Sequence, residues 1–305
     1  MRKIDHGFKN QTQGVPASAD RTQGIHLSAG RTQGIPASAD RIDSRHTWVI
    51  CAYGQSPYLE DCVRSLLRQT VRSRILIATS TPNEKIRKTA AHFHLPVYVN
   101  EGEHGITQDW NYAVSCAKTR YVTIAHQDDI YESTYLERAL KGLRGARHPL
   151  IFFSDYYEIR NGEKVSSNRN LRIKRVMLLP FLSRLLQNSI FVRRRVLSLG
   201  SPIDCPSVTY VIPNLPEGPL FDSTYRVAQD WEAWERISRI RGTFVFDPHL
   251  LMGHRIHEES TTTELIADQT RTKEELSIFR RFWPERAAGW IEGRYRKGQD
   301  SNRMG

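Results

Sequence analysis

The 305-residue chain carries 44 Lys and Arg against 33 Asp and Glu, a formal net charge of +11, with 39% hydrophobic and 25% charged residues. That is globular composition, which excludes a wholly disordered or fibrous chain. It holds no run of 18 apolar residues, which excludes a membrane-spanning helix. The excess charge invites a polyanion (nucleic acid, an anionic membrane surface or a phosphorylated substrate), and only its location can choose among them. The opening MRKIDHGFKNQTQG lacks the apolar stretch of a secretory signal. Cys51, Cys62, Cys116 and Cys205 form no CxxC pair, so they read as small buried hydrophobes of a reducing cytoplasm.

Residues 11–20, 21–30 and 31–40 read QTQGVPASAD, RTQGIHLSAG and RTQGIPASAD, a decapeptide in three copies. One aliphatic position per ten residues is too little to stack a solenoid, so residues 1–46 are expected to be a disordered extension. The folded domain is expected over 47–265, and a C-terminal helical tail broken at Pro284 over 266–305.

From Thr47, WVICAY reads as a buried strand. YLEDCVRSLLRQT (58–70) sets Leu59, Cys62, Val63, Leu66 and Leu67 on one helical face. RILIATS (74–80) is a second strand, and Ser80 or Thr81 before Pro82 predicts a helix start. LPVYVN (95–100), a helix over 106–117 and the strand YVTIA (121–125) follow. This alternation predicts an α/β, Rossmann-like, mostly parallel sheet with helices on both faces. Such sheets bind ligands beyond the C-terminal strand ends, so Tyr53, Ser80, Asn100 and Ala125 should border the site. Further on, a helix over about 133–146 leads to LIFFSDYYEI, with a hairpin turn at Asn161-Gly162. A Pro-rich stretch (202–219), a helix at 230–240 and the strands TFVFD (243–247) and HLLMGHRIH (249–257) complete the domain.

Three clusters could carry chemistry. His126-Gln127-Asp128-Asp129 follows the strand YVTIA directly. Adjacent carboxylates repel unless neutralised, and two carboxylates with an imidazole suit Mg²⁺ or Mn²⁺; the same pair could instead cap a turn. Asp230 opens a helix, either as a cap or as a general base at a rigid helix terminus. His254-Arg255-Ile256-His257 ends a strand beside Glu258-Glu259.

Four segments in this order carry a resemblance. VICAYGQSPYLEDCVRSLLRQT, YVTIAHQDDIY, QDWEAWERIS and HRIHEEST resemble the opening strand and helix, the Asp-x-Asp segment, the Glu-Asp-x-x-x-Trp-x-Arg segment and the late His-Arg-x-His-x-x-Ser motif of family 2 glycosyltransferases. The resemblance spans roughly 47–265. It implies a GT-A fold and an inverting transfer of sugar from a nucleotide-sugar donor to a bacterial surface glycan or a polyprenyl-phosphate-linked acceptor. It implies Asp230 as base and a divalent metal at Asp128 and Asp129, with His126, His254 or His257 as further metal or diphosphate contacts. Ala52, Tyr53, Ser80, Asp109, Asn111, Gln127 and Asp128 are expected to line the nucleotide-sugar site.

The chain departs from the family pattern at four places. His126 replaces the first Asp of Asp-x-Asp, and Ser80 or Thr79 stands where an Asp reads uracil. Gln229 stands where an acid is common, and Trp110 where a basic residue is common. The alternative is a catalytically silent GT-A domain that binds nucleotide or glycan; Asp128, Asp129 and Asp230 argue against it. A nucleic-acid binder would need a basic module with interleaved aromatics, which is missing, so no nucleic-acid partner is expected.

The charge is concentrated. Arg169, Arg172, Lys174, Arg175, Arg184, Arg193, Arg194 and Arg195 crowd 169–195 without an acid. That composition suits an anionic membrane surface or a groove for a phosphorylated lipid-linked acceptor; a core helix with basic outer faces is the alternative. The protein is accordingly expected in the cytoplasm, at or near the inner face of the membrane.

Overall fold

The computed structural model describes residues 42–256 and 270–300, with side chains to residue 296. The decapeptide repeats and the segment His257–Ser260 with its glutamates therefore lie outside the described residues. The chain runs β1 (Asp43–Ala52), α1 (Leu59–Leu67), β2 (Ser73–Thr79), α2 (Glu84–His92), β3 (Val97–Val99), α3 (Ile106–Cys116), β4 (Tyr121–His126), β5 (Ile130–Tyr131), α4 (Tyr135–Gly145), β6 (Pro149–Arg160) and β7 (Glu163–Val165). It continues through α5 (Arg169–Leu178), a 3₁₀ turn (Leu179–Leu182), α6 (Arg184–Gln187), α7 (Ile190–Leu197), β8 (Val208–Val211), α8 (Gln229–Ser238) and β9 (Thr243–Ile256). Two C-terminal helices follow, α9 (Thr270–Phe279) and α10 (Glu285–Asp300), on either side of Pro284 as expected.

Among the described residues one nine-stranded sheet has the order β3-β2-β1-β4-β8-β6-β9-β5, with β7 on β6. β1 pairs in parallel with both β2 and β4, and β6 pairs in parallel with β9. β8 lies antiparallel between β4 and β6. It falls inside the stretch read only as Pro-rich, and its four residues are all buried. TFVFD and HLLMGHRIH, expected as two strands, form one through Pro248, with register shifts against β6 at Ser154 and Asp155.

Strand alternation sorts the core. Trp48, Ile50 and Ala52 face Leu59, Val63 and Leu66 of α1 and Leu136 and Leu140 of α4, while Val49, Leu76 and Val122 face Ala113 of α3. A second large cluster packs Phe153, Tyr210, Trp231, Trp234 and Phe279 under α8 and α9. The β6–β7 turn is the one expected: Asn161 and Gly162 both have positive φ, 52° and 84°, as a type I′ hairpin requires. The cap of α2 differs from expectation. Asn83, not Ser80 or Thr81, accepts from the Ile86 amide at 3.0 Å, leaving Pro82 outside the helix and Ser80 and Thr81 in the crevice beyond β2.

His46 is fully buried on β1, between Ser73 Oγ at 2.8 Å and Thr123 Oγ1 at 2.9 Å. Burial pushes its pKa down to about 3, whereas an unfolded-chain histidine titrates near ~6.5. The folded state resists a proton that the unfolded state accepts. This contribution to stability is therefore intact above about pH 6.5 and lost as pH falls toward 3, at up to about 1.4 kcal/mol per unit. The urea midpoint is expected to fall between pH 7 and 5, and His46→Gln to flatten that slope; an equal slope in both proteins would contradict the assignment.

Candidate active site

β1 and β4 are neighbours with Cys51 opposite His126, and β2 lies on the other side of β1. Strand order reverses between β1 and β4, where a crevice opens beyond the strand ends. Gln127 closes this point: its Oε1 accepts from the Tyr53 amide at 3.1 Å and its Nε2 donates to the Tyr53 carbonyl at 2.8 Å. Ala52 is buried beneath, and the Tyr53 ring stands 64% exposed, free to lie against a flat ligand. On the β2 side, Ser80 Oγ donates to Asp109 Oδ2 at 2.7 Å and Asn100 Nδ2 to Asp109 Oδ1 at 2.9 Å. Asp109 thus ties β2, the end of β3 and α3 together rather than capping α3, whose cap residue is Gly105. The Ser80 hydroxyl, having given its proton to Asp109, presents only lone pairs to a ligand. Both amide atoms of Asn111 are taken by the backbone of Phe221, at 2.8 and 2.9 Å. Asn111 therefore fixes the loop before α8.

The acidic turn is asymmetric. Asp129 is fully buried. Its Oδ1 accepts from the Arg255 amide at 2.9 Å and from His254 Nδ1 at 3.1 Å, and His126 Nδ1 lies 3.8 Å from Oδ2. Arg255 also donates from Nε to the Asp128 carbonyl at 2.9 Å and lies 4.1 Å over the Tyr58 ring. The end of β9 is thereby stapled to the turn. Burial alone would lower His254, but the carboxylates of Asp129 and Asp204 override it and hold the imidazole protonated, at about 10. Asp128 remains partly exposed.

His126, Asp128 and Asp129 each offer a ligand atom, and these lie within 4.8 Å of one another. His126 Nε2 is buried without a hydrogen-bond partner, and its ring stacks on Trp110 with centroids 4.9 Å apart. An imidazole and two carboxylates brought this close are a donor set that fits a divalent cation. Asp129, fully enclosed and already taking two donors on Oδ1, fits better as the brace of that pair.

Across the crevice, Asp230 sits in the first turn of α8, and its Oδ1 accepts from the Trp231 amide at 2.6 Å. Burial raises its pKa to about 6, with Asp204 adding to the rise and the Trp231 amide opposing it. Asp204 was not legible in the sequence, where it sits in a proline-rich loop. Its Oδ2 is buried without a hydrogen-bond partner, 3.9 Å from His254 Nδ1. Lys174 of α5 donates to the Tyr156 hydroxyl at 2.8 Å. Burial opposes its charge, but Tyr156 and Asp204 outweigh this and raise its pKa. Asp128, Asp129, His126 and His254 thus cluster at one end of the crevice, and Asp230, Asp204 and Lys174 at the other, with His254 and Asp204 linking the two groups. His257 lies outside the described residues.

The class follows from sequence and fold together. Residues 47–201 match Glycosyl transferase family 2, which is half of the chain, and the chain belongs to that family. Among solved structures it is similar to S. aureus TarS 1–349 in complex with UDP-GlcNAc, at 13% identity and TM-score 0.57, covering 84% of this chain and 73% of that one. It is also similar to the mannosyltransferase PcManGT from Pyrobaculum calidifontis in complex with GDP-Man and Mn²⁺, at 14% identity and TM-score 0.55, covering 78% and 63%. Against the longer S. aureus TarS chain it spans 42% of that protein's length. At these identities the likeness establishes the GT-A fold. A search of curated proteins gave no significant match.

Proposed function

We propose that the protein transfers a sugar from a nucleotide-sugar donor to a hydroxyl acceptor with inversion, Asp230 serving as general base. The observation that carries this reading is the pairing of a partly exposed Asp128 at the switch point with an Asp230 raised to about 6 across the same crevice. The nucleotide base lies against Tyr53, with Ala52, Ser80, Asp109 and Gln127 forming the wall and Asn111 holding the loop behind it. Two solved proteins of this fold hold UDP-GlcNAc and GDP-Man, which supports a nucleotide-sugar donor.

The acceptor oxygen attacks the anomeric carbon as its proton passes to Asp230. The bond from that carbon to the diphosphate oxygen breaks on the opposite face, and the electron pair leaves with the nucleoside diphosphate. One displacement inverts the centre, and no covalent intermediate is needed. A base near 6 is mostly ionised at neutral pH yet retains proton affinity. His254, held protonated by Asp129 and Asp204, would meet diphosphate charge. Asp128 and His126 would hold Mn²⁺ or Mg²⁺, which supplies charge stabilisation to the leaving diphosphate. The GDP-Man complex with Mn²⁺ supports a divalent metal. The acceptor is a glycan or a polyprenyl-phosphate-linked glycan at the inner face of the cell membrane.

Thermal shift with a panel of nucleotide sugars tests the donor reading, because a ligand of the native state raises Tm. One nucleotide sugar with Mn²⁺ is expected to raise Tm, and EDTA to abolish the rise. Asp128→Ala is expected to lose the metal-dependent part while keeping the unliganded Tm, since Asp128 is partly exposed. Full activity after EDTA would overturn the metal role.

A further inference from the structure

We propose that the outer crest formed by α5, the 3₁₀ turn, α6 and α7 seats in the headgroup layer of an anionic lipid bilayer. The proposal is independent of the donor-site reading, because it concerns a surface on the opposite side of α5 from Lys174. The structure divides the eight cations that the sequence groups together. Arg193 is fully buried, donating to the carbonyls of Ser238, Ile240 and Gly242. Arg194 pairs with Glu235 at 2.5 Å and Arg175 with Asp155 at 2.6 Å, while Lys174 points inward to Tyr156. These four serve the fold or the crevice. Arg172, Arg184 and Arg195 are exposed.

Between these cations stands apolar surface that no described residue covers. Val176 is 65% exposed, Leu179 and Leu182 55% each, Leu185 84% and Phe191 70%. Scattered single hydrophobics on a surface need no explanation, but a contiguous run of large ones marks an interaction site. A shallow depression along α5 is lined by Arg169, Arg172, Ile173, Val176 and Met177. Cations set beside exposed hydrocarbon are the composition that meets a lipid headgroup and its acyl chain. Arg195 lies 5.4 Å over the Phe191 ring, so a cation again stands beside exposed hydrocarbon at the far end of the crest.

Charge selects the occupant. No acid occurs from Ser166 to Ile203. A second copy of the chain docking by the same patch would bring arginines against arginines, since a two-fold contact is self-complementary. A phosphate-bearing bilayer answers the cations and takes the leucines together. No helix among the described residues is long and apolar enough to cross a membrane. α5 then presents its outer face to lipid and its inner Lys174 to Asp204 and Asp230.

The test is flotation of the full chain, without nucleotide sugar, on vesicles of phosphatidylcholine alone or mixed with phosphatidylglycerol. Binding to the mixed vesicles at low salt is expected, with weaker binding to phosphatidylcholine alone. The exposed pair Leu182→Glu/Leu185→Glu is expected to lower binding on the order of 100-fold at unchanged Tm. Arg184→Glu, two charge units near the surface, is expected to lower it on the order of ten-fold or more. Absence of binding at low salt, or binding by both variants equal to that of the wild-type chain, would overturn the proposal. So would an oligomer in sedimentation velocity that the leucine variant dissolves, which would assign the crest to contact between copies.

Discussion

Asp230→Asn is expected to lower kcat by on the order of 10³-fold, the middle of the range for losing a positioned general base, with donor affinity unchanged. Asparagine keeps an oxygen for the Trp231 amide that Asp230 now accepts at 2.6 Å, so α8 should start where it does and Tm should hold. The wild-type pH profile carries a second signature. The base must be ionised, and burial sets its pKa at about 6. Activity is therefore expected to be flat above that value and to fall about ten-fold per unit below it. Asp204 raises the same group, so Asp204→Asn should move the acid limb to lower pH. Turnover unchanged in Asp230→Asn would remove the base from the mechanism.

Asp129→Ala is expected to have the largest effect on stability. Its carboxylate is fully enclosed and takes the Arg255 amide and the His254 ring together. Truncation leaves a buried amide without its acceptor and an imidazolium without its nearest carboxylate, with Asp204 3.9 Å away. Removing one partner of a buried pair costs about 3–5 kcal/mol, which for a domain of this size lowers Tm by on the order of 10 °C. The end of β9 should detach from the acidic turn, and transfer should be lost with it. Asp128→Ala, on a partly exposed side chain in the same turn, should leave Tm unchanged while losing metal-dependent donor binding. A chemical-denaturation series on both variants separates them; equal stability would show that Asp129 is not the brace.

The parallel half of the sheet was legible because its strands are short apolar runs separated by amphipathic helices, and each falls within a few residues of its expected place. β8 was not. Val208–Val211 is too short to show a period and sits among prolines, and only its partners on both sides make it a central strand. The same holds for Asp204, which no local pattern separates from a loop aspartate; its place beside His254 depends on the loop's return to the crevice. The acidic turn and Asp230 were legible as residues, but their division of labour was not. Which of two adjacent aspartates is enclosed depends on β9 arriving 125 residues later. The run of cations shows the limit most plainly, because helical phase turned half of them into the protein. Asn111 reads like a ligand-binding side chain, and the structure also ties both of its polar atoms to Phe221.

The central claim is that a nucleotide sugar bound at the switch point loses its sugar to a hydroxyl activated by Asp230. Its most direct test is the rate of nucleoside diphosphate release from a panel of nucleotide sugars with Mn²⁺ and simple glycoside acceptors, measured beside donor Kd. The account predicts that one donor supports release, and that Asp230→Asn cuts the rate at least 100-fold at unchanged Kd. Release by the variant at the wild-type rate, or no nucleotide sugar bound with any divalent metal, would contradict it.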